Sequence, residues 1–220
     1  MKKYVFILAI FMAFSCSSDD STSDNDPTPP ATTTIPDSNF EQALIDLGLD
    51  NELDGRVLNS NIESIMNLII DNKNITNLSG LQGFTNLYTL SANGNTINSI
   101  NVTTNSKLKF IYLDNNDLSG INVQGLSMLE KLSLNNNMIS SINVSGISTL
   151  QQLMINGNSV SQLDVSTNTE LTVLDTRNSD ITCITVSDNQ LNNIPNGWTI
   201  DNTTSYSTCL LYTSPSPRDA

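Results

Sequence analysis

Histidine is absent from this chain of 220 residues. That removes Ser-His-Asp and Cys-His catalysis and the usual imidazole zinc sites. Cations are scarce as well: nine lysines and arginines stand against 22 aspartates and glutamates. No basic stripe forms, so nucleic acid is not an expected partner. Charged residues make up only 14% of the chain, and Asn, Ser and Thr supply most of its polarity. Such a composition favours side-chain amides and hydroxyls that satisfy backbone groups over a helical protein coated with Glu and Lys. There is no phosphate-cradling glycine loop. Carboxylate pairs such as Asp114 and Asp117 lie in turn-like contexts with no shared pocket to shift them. The reading is therefore non-enzymatic, with neither cofactor nor metal.

Long apolar runs are missing except at the N-terminus. Lys2 and Lys3 precede an apolar run from Tyr4 to Phe14, followed by the residues AFSC at 13–16. This run is too short to span a bilayer and reads as a signal peptide over residues 1–15. The net charge of −13 is uneven. Twelve acidic residues and one basic residue fall between Asp19 and Asp71, against seven acidic and four basic between Thr85 and Val186. Residues 16–34, with the stretch SSDDSTSDNDPTPPATTT, are polar, acidic and without apolar periodicity, as expected of a disordered tether.

What the sequence has in abundance is a repeat. Leu87, Leu108, Leu129, Leu150 and Leu171 are spaced by 21 residues. Leu90, Ile111, Leu132, Leu153 and Leu174 keep the same step, as do Ile97, Leu118, Ile139, Val160 and Ile181. A column of Val102, Val123, Val144, Val165 and Val186 closes each unit, and a copy beginning near Ile65 precedes them. A fixed period of this length means a solenoid of about six coils over residues 65–186. Each L-x-L element alternates and predicts a short strand, paired in parallel with the next coil about 4.8 Å away. Asn95, Asn116, Asn137 and Asn158 form one column, where a buried amide satisfies a turning backbone. Ser179 interrupts that column and suggests a transition to a cap.

The segment Leu129-x-x-Leu132-x-Leu134-x-x-Asn137-x-Ile139 resembles the leucine-rich repeat pattern. Its 21-residue form, with segments such as SINVSG and QLDVSTNTEL, is similar to the internalin-like repeats of bacterial surface proteins. The resemblance implies a right-handed α/β leucine-rich-repeat solenoid of mostly parallel β coils with little helix and shallow curvature. Some relatives carry a cysteine ladder; the matching column here is Ala92, Leu113, Leu134, Ile155 and Thr176. The segment PDSNFEQALIDLGLD resembles the helical cap preceding such repeats, placing an N-terminal cap at 35–64. Asp37 or Ser38 caps its helix, with Phe40, Ala43, Leu44 and Leu47 on one face and Gly48 at its end. The DNELDG stretch at 50–55 echoes a calcium loop but has Glu52 at the third place and Asn61 in place of the closing Glu, so a polar turn is expected.

AFSC also resembles a bacterial lipoprotein signal, which implies lipidation of Cys16 as the mature N-terminus, with Phe14 departing from the usual small residue. The SSDD start resembles the acidic export tag of surface-exposed lipoproteins. Together these imply an outer-membrane, surface-exposed lipoprotein of a diderm bacterium, touching the membrane through its anchor alone. At the other end, residues 187–209 are expected to form a C-terminal cap. Cys183 and Cys209 flank it and suit a disulfide in an exported chain, contributing about 3 kcal/mol on an entropic account. Two free thiols are the alternative. Residues 209–220, CLLYTSPSPRDA, resemble the translation of a sequencing-library adaptor, so 210–220 carry no expected function.

Candidate ligand residues point outward from the expected concave sheet: Phe110, Tyr112, Asp114, Lys131, Met154, Asp175 and Arg177. Aromatics with charged neighbours are typical anchors for protein or glycan ligands. The expectation is a protein- or glycan-binding adhesion or recognition protein, of open oligomeric state. A structural spacer or assembly module, or the binding part of a longer enzyme, is the alternative.

Overall fold

The computed structural model describes residues 30–208; Cys16, the signal segment, most of the tether and Cys209 lie outside the described residues. The chain enters through strand β1 (Thr32–Thr34), which pairs antiparallel with β2 (Arg56–Leu58) around helix α1 (Ser38–Asp46). The structured cap thus begins at Thr32, three residues before the expected boundary at 35. The reason is local: Thr33 is buried, its hydroxyl donating to Asn59 Oδ1. Asp37 caps α1 by accepting from the N–H groups of Asn39 and Phe40. Phe40, Ala43 and Leu44 enter the core as expected, but Leu47 does not. It lies one residue past the helix and is 48% exposed. Glu41 is buried instead, and its Oε1 accepts from the backbone N–H groups of Asp54, Gly55 and Arg56. That carboxylate organises the DNELDG turn.

A short helix α2 (Asn59–Ile62) leads into the solenoid. Its main sheet has seven parallel strands. Strands β3 (Asn67–Ile69), β4 (Thr89–Ser91), β5 (Phe110–Tyr112), β6 (Lys131–Ser133) and β7 (Gln152–Met154) stack in sequence order. Strand β8 (Leu163–Asp164) lies on the far side, and β9 (Val173–Asp175) continues the main sheet. The central residues Leu68, Leu90, Ile111, Leu132, Leu153 and Leu174 align in register and are fully buried. Little helix is present, and the architecture is the leucine-rich-repeat solenoid that the columns predict.

Two amide columns hold the coils together. Asn137 shows the first pattern: its Nδ2 donates to the carbonyls of Leu113 and Leu134, and its Oδ1 accepts from Leu118 N–H. Asn95, Asn116 and Asn158 repeat it. The second column was hidden in the sequence. Asn105 donates to the carbonyls of Leu81 and Phe84, and Asn168 to those of Val144 and Ile147, each across one coil. These residues lie 63 positions apart, three periods of 21, with apolar Leu126 and Ile147 between them, so the column did not read as polar. The turns after strands β3 to β7 and after β9 use a left-handed residue: Asn72, Asn115, Asn136 and Asn178 have positive φ, and Gly94 and Gly157 take the same place. Asparagine and glycine are the residues that reach this region at low cost.

The far side is extended but rarely pairs. Only an isolated Asn101–Asn122 bridge and a terminal three-stranded sheet occur there among the described residues. That sheet joins β8 to β10 (Cys183–Thr185) and to β12 (Ser205–Ser207). The C-terminal segment is one more coil, not a loose lid. Helix α3 (Asp188–Asn192) begins with a Ser187–Gln190 capping box, β11 (Gly197–Thr199) pairs with β9, and β12 pairs with β10. Buried Trp198 donates its indole N–H to the Leu171 carbonyl and packs against Tyr206 at 5.7 Å. Ser179, where the asparagine column stops, donates its N–H to Asp201 Oδ2 in the terminal coil at 3.3 Å.

Candidate functional site

The outward face of the main sheet carries the candidate residues in two rows set by strand register. Phe110, Lys131, Gln152 and Val173 align in one row; Tyr112, Ser133, Met154 and Asp175 align in the other. Within β5, Phe110 and Tyr112 flank buried Ile111 and are half-buried. Alternation forces this arrangement, because a strand that buries its middle residue must turn both neighbours outward.

Phe110 and Tyr112 have ring neighbours. Tyr88, one coil upstream, meets Phe110 edge to face at a centroid distance of 5.5 Å. Lys131 Nζ stands 5.0 Å over the Tyr112 ring, and Lys109 Nζ stands 5.5 Å over Tyr88. Lys109 is also ion-paired with Glu130. Bonding to Glu130, aided by Tyr88, raises the Lys109 ammonium above its ordinary value despite some desolvation. The result is an aromatic and cationic cluster across three coils, with Tyr88, Lys109 and Phe110 in one group and Tyr112 and Lys131 in a pair beside it on the same face of β5. Sequence columns alone did not single out Tyr88 or Lys109, because they precede the strand; a lysine beside an aromatic one coil away was the available signal.

The remaining candidates separate from this cluster. Asp114 accepts from the Ser133 hydroxyl and from Asn135 N–H, so it stitches adjacent coils. Asp71 does the same for Ser91 and Asn93. Met154 is half-buried between Ser133 and Asp175 in its row. Asp175 and Arg177 bind each other at 2.7 Å, two coils beyond Lys131. Partial burial raises the Asp175 carboxyl, but bonds and charge from Arg177 outweigh it and hold the group below its ordinary value. Cys183 is half-exposed in β10, in register with Ser205; Cys209 is outside the described residues. Among the described residues, no three His, Cys, Asp or Glu side chains are grouped to hold a metal ion, and no helix is long and apolar enough to cross a membrane.

No protein-family model matches the chain, and no curated protein matches it. Solved structures do. Over 79% of this chain, the functional domain of InlJ from Listeria monocytogenes superposes with a TM-score of 0.63 at 23% identity. An internalin, InlF, from the same species gives 0.60 at 21% over 79% of the chain, and internalin C2 gives 0.51 at 20% over 81%. The solenoid has the internalin fold. The chain spans 40% of the InlJ structure and 56% of the InlF structure, against 97% of internalin C2. The InlJ domain includes a cysteine ladder. In this internalin-like solenoid the column of Ala92, Leu113, Leu134, Ile155 and Thr176, which the repeat pattern matches to such a ladder, is fully buried and free of cysteine.

Proposed function

We propose that this chain is a non-enzymatic bacterial surface lipoprotein whose internalin-like solenoid recognises a protein ligand through the outward face of its main sheet. The observation that carries this reading is the Tyr88–Phe110–Tyr112–Lys131 cluster, which leaves half-exposed aromatics and cations on a rigid sheet. Aromatic side chains of this kind contribute large contact area at little conformational cost, and nearby cations add polar specificity. Cys16 is the lipid anchor, residues 17–31 are the tether, and Cys183 pairs with Cys209 to close the terminal coil. The fold supports this reading because a solenoid presents one long, stiff surface.

The test is capture of ligand from host and bacterial surface extracts, alongside a glycan array, by the native protein and by Phe110→Ala/Tyr112→Ala. Both side chains lie on the surface, so the double variant is expected to fold and to lose at least tenfold in binding. Equal binding by both proteins would sink the proposal, and binding confined to the glycan array would replace its ligand class.

A further inference from the structure

Beside the aromatic cluster, where the chain enters the main strands, lies a groove of about 420 Å³ lined by Ser64, Met66, Asn86, Tyr88, Lys107 and Met128. Met66 is 55% exposed and Met128 43%, and Ile69, on the neighbouring strand β3, is 59% exposed. Eight large apolar side chains are exposed among the described residues, and Met66 and Met128 are the two that line this groove. Met66 and Met128 are long, unbranched and polarizable, properties suited to gripping an apolar side chain of variable shape. Tyr88 forms the shared wall, since its ring also touches Phe110.

The charge pattern identifies the kind of occupant. Six lysines and arginines fall within the described residues. Arg56, Lys73, Lys109 and Arg177 each pair with a carboxylate: Asp54, Asp46, Glu130 and Asp175. Lys107 and Lys131 do not. Lys107 bonds the neutral Asn86 side chain, and Lys131 rests over Tyr112. Among the described residues of this chain of net charge −13, the two cations left without a carboxylate partner sit at the groove and on the adjoining cluster. The carboxylate placed in the cluster, Glu130, is taken up by Lys109, and among the described residues no ion pair reaches Lys107 or Lys131. Electrostatic complementarity of this kind selects a partner of opposite charge.

We infer that the Met66–Tyr88–Met128 groove is a docking site for an acidic peptide segment of a partner protein, with one apolar side chain seated between the methionines and flanking carboxylates on Lys107 and Lys131. This deepens the protein-binding reading above, and gives that face a second contact region with its own chemistry.

A random dodecapeptide library displayed on phage, selected against the full chain, tests the inference. Recovered peptides are expected to carry Asp or Glu around a single Leu, Met or Phe, and to bind at least tenfold more weakly to Lys107→Glu/Lys131→Glu. With ¹³C-methyl methionine, a selected peptide is expected to shift the Met66 and Met128 methyl signals and leave exposed Met138 unmoved. Peptides without acidic enrichment, or equal binding to the charge-reversed variant, would overturn the inference. So would methyl shifts that appear on raising protein concentration alone, which mean a second copy in the groove, or displacement by a sulfated polysaccharide without any methionine shift. The two proposals fail separately: ligand binding lost in Phe110→Ala/Tyr112→Ala but intact in Met66→Ser/Met128→Ser removes the groove and keeps the cluster. The reverse result removes the cluster and keeps the groove.

Discussion

Asp37 Oδ2 accepts from both the backbone N–H and the hydroxyl of Thr76, at 2.8 and 2.6 Å, while Oδ1 caps helix α1. One carboxylate therefore ties the N-terminal cap to the first coil, 39 residues further along the chain. Partial burial pushes this carboxyl up, but bonds from Thr76, Phe40 and Asn77 outweigh it and hold it below its ordinary value of 3.8. A depressed folded-state pKa means stability that is present above the unfolded value and lost as pH falls through the folded one. Urea titrations are thus expected to show stability falling below pH 3.8. Asp37→Asn keeps a helix-capping oxygen but loses the charged acceptor for Thr76 and Asn77, so it should cost about 1 kcal/mol at neutral pH and flatten that acid limb. An unchanged limb would place the acid sensitivity elsewhere.

The amide column makes a larger prediction. Asn137→Ala leaves the N–H of Leu118 unpartnered in the interior and takes one of two amide donors from each of the carbonyls of Leu113 and Leu134, which keep Asn116 and Asn158. An orphaned buried N–H costs about 1–3 kcal/mol, so a loss of about 2 kcal/mol is expected by urea denaturation. Hydrogen exchange at Leu118 should accelerate more than at Ile75, whose partner is Asn95. Uniform acceleration would mean global, not local, loosening.

Asp114 separates structure from recognition. Because it accepts from Ser133 and Asn135, Asp114→Ala is expected to cost about 1–2 kcal/mol of stability. Ligand affinity should change far less than in Phe110→Ala/Tyr112→Ala. A variant of native stability with lost binding would return Asp114 to the ligand contacts.

The proposed lipid anchor is Cys16. Mass spectrometry of protein from membranes is expected to find an acylated Cys16 at the N-terminus, and Cys16→Ser should release the protein to the soluble fraction. An unmodified Cys16, or a serine variant that stays with membranes, rules the anchor out.

Periodicity made most of this fold legible. A column of leucines repeating every 21 residues admits one economical solution, a stack of equal coils, and residue alternation in L-x-L then decides which side chains point in. The strand register, the inward leucines and the Asn95–Asn158 column follow from that arithmetic. Where one residue had to choose between roles, the arithmetic stopped. Leu47 fits the helical stripe yet lies outside, because α1 ends before it and Glu41 is needed inside to hold Asp54, Gly55 and Arg56. Asp114 reads as a surface acid and is a coil-to-coil brace.

The composition and repeat of the sequence determined by themselves that this chain is a histidine-free solenoid of stacked, parallel-stranded coils. Only the tertiary structure decided which exposed residues act together. Tyr88 meets Phe110, Lys131 covers Tyr112, and Met66 faces a groove shared with Met128, although these residues belong to different coils. Sequence period sets the direction of each side chain, but the contacts between coils depend on rotamers and on the few positions where one repeat differs from the next.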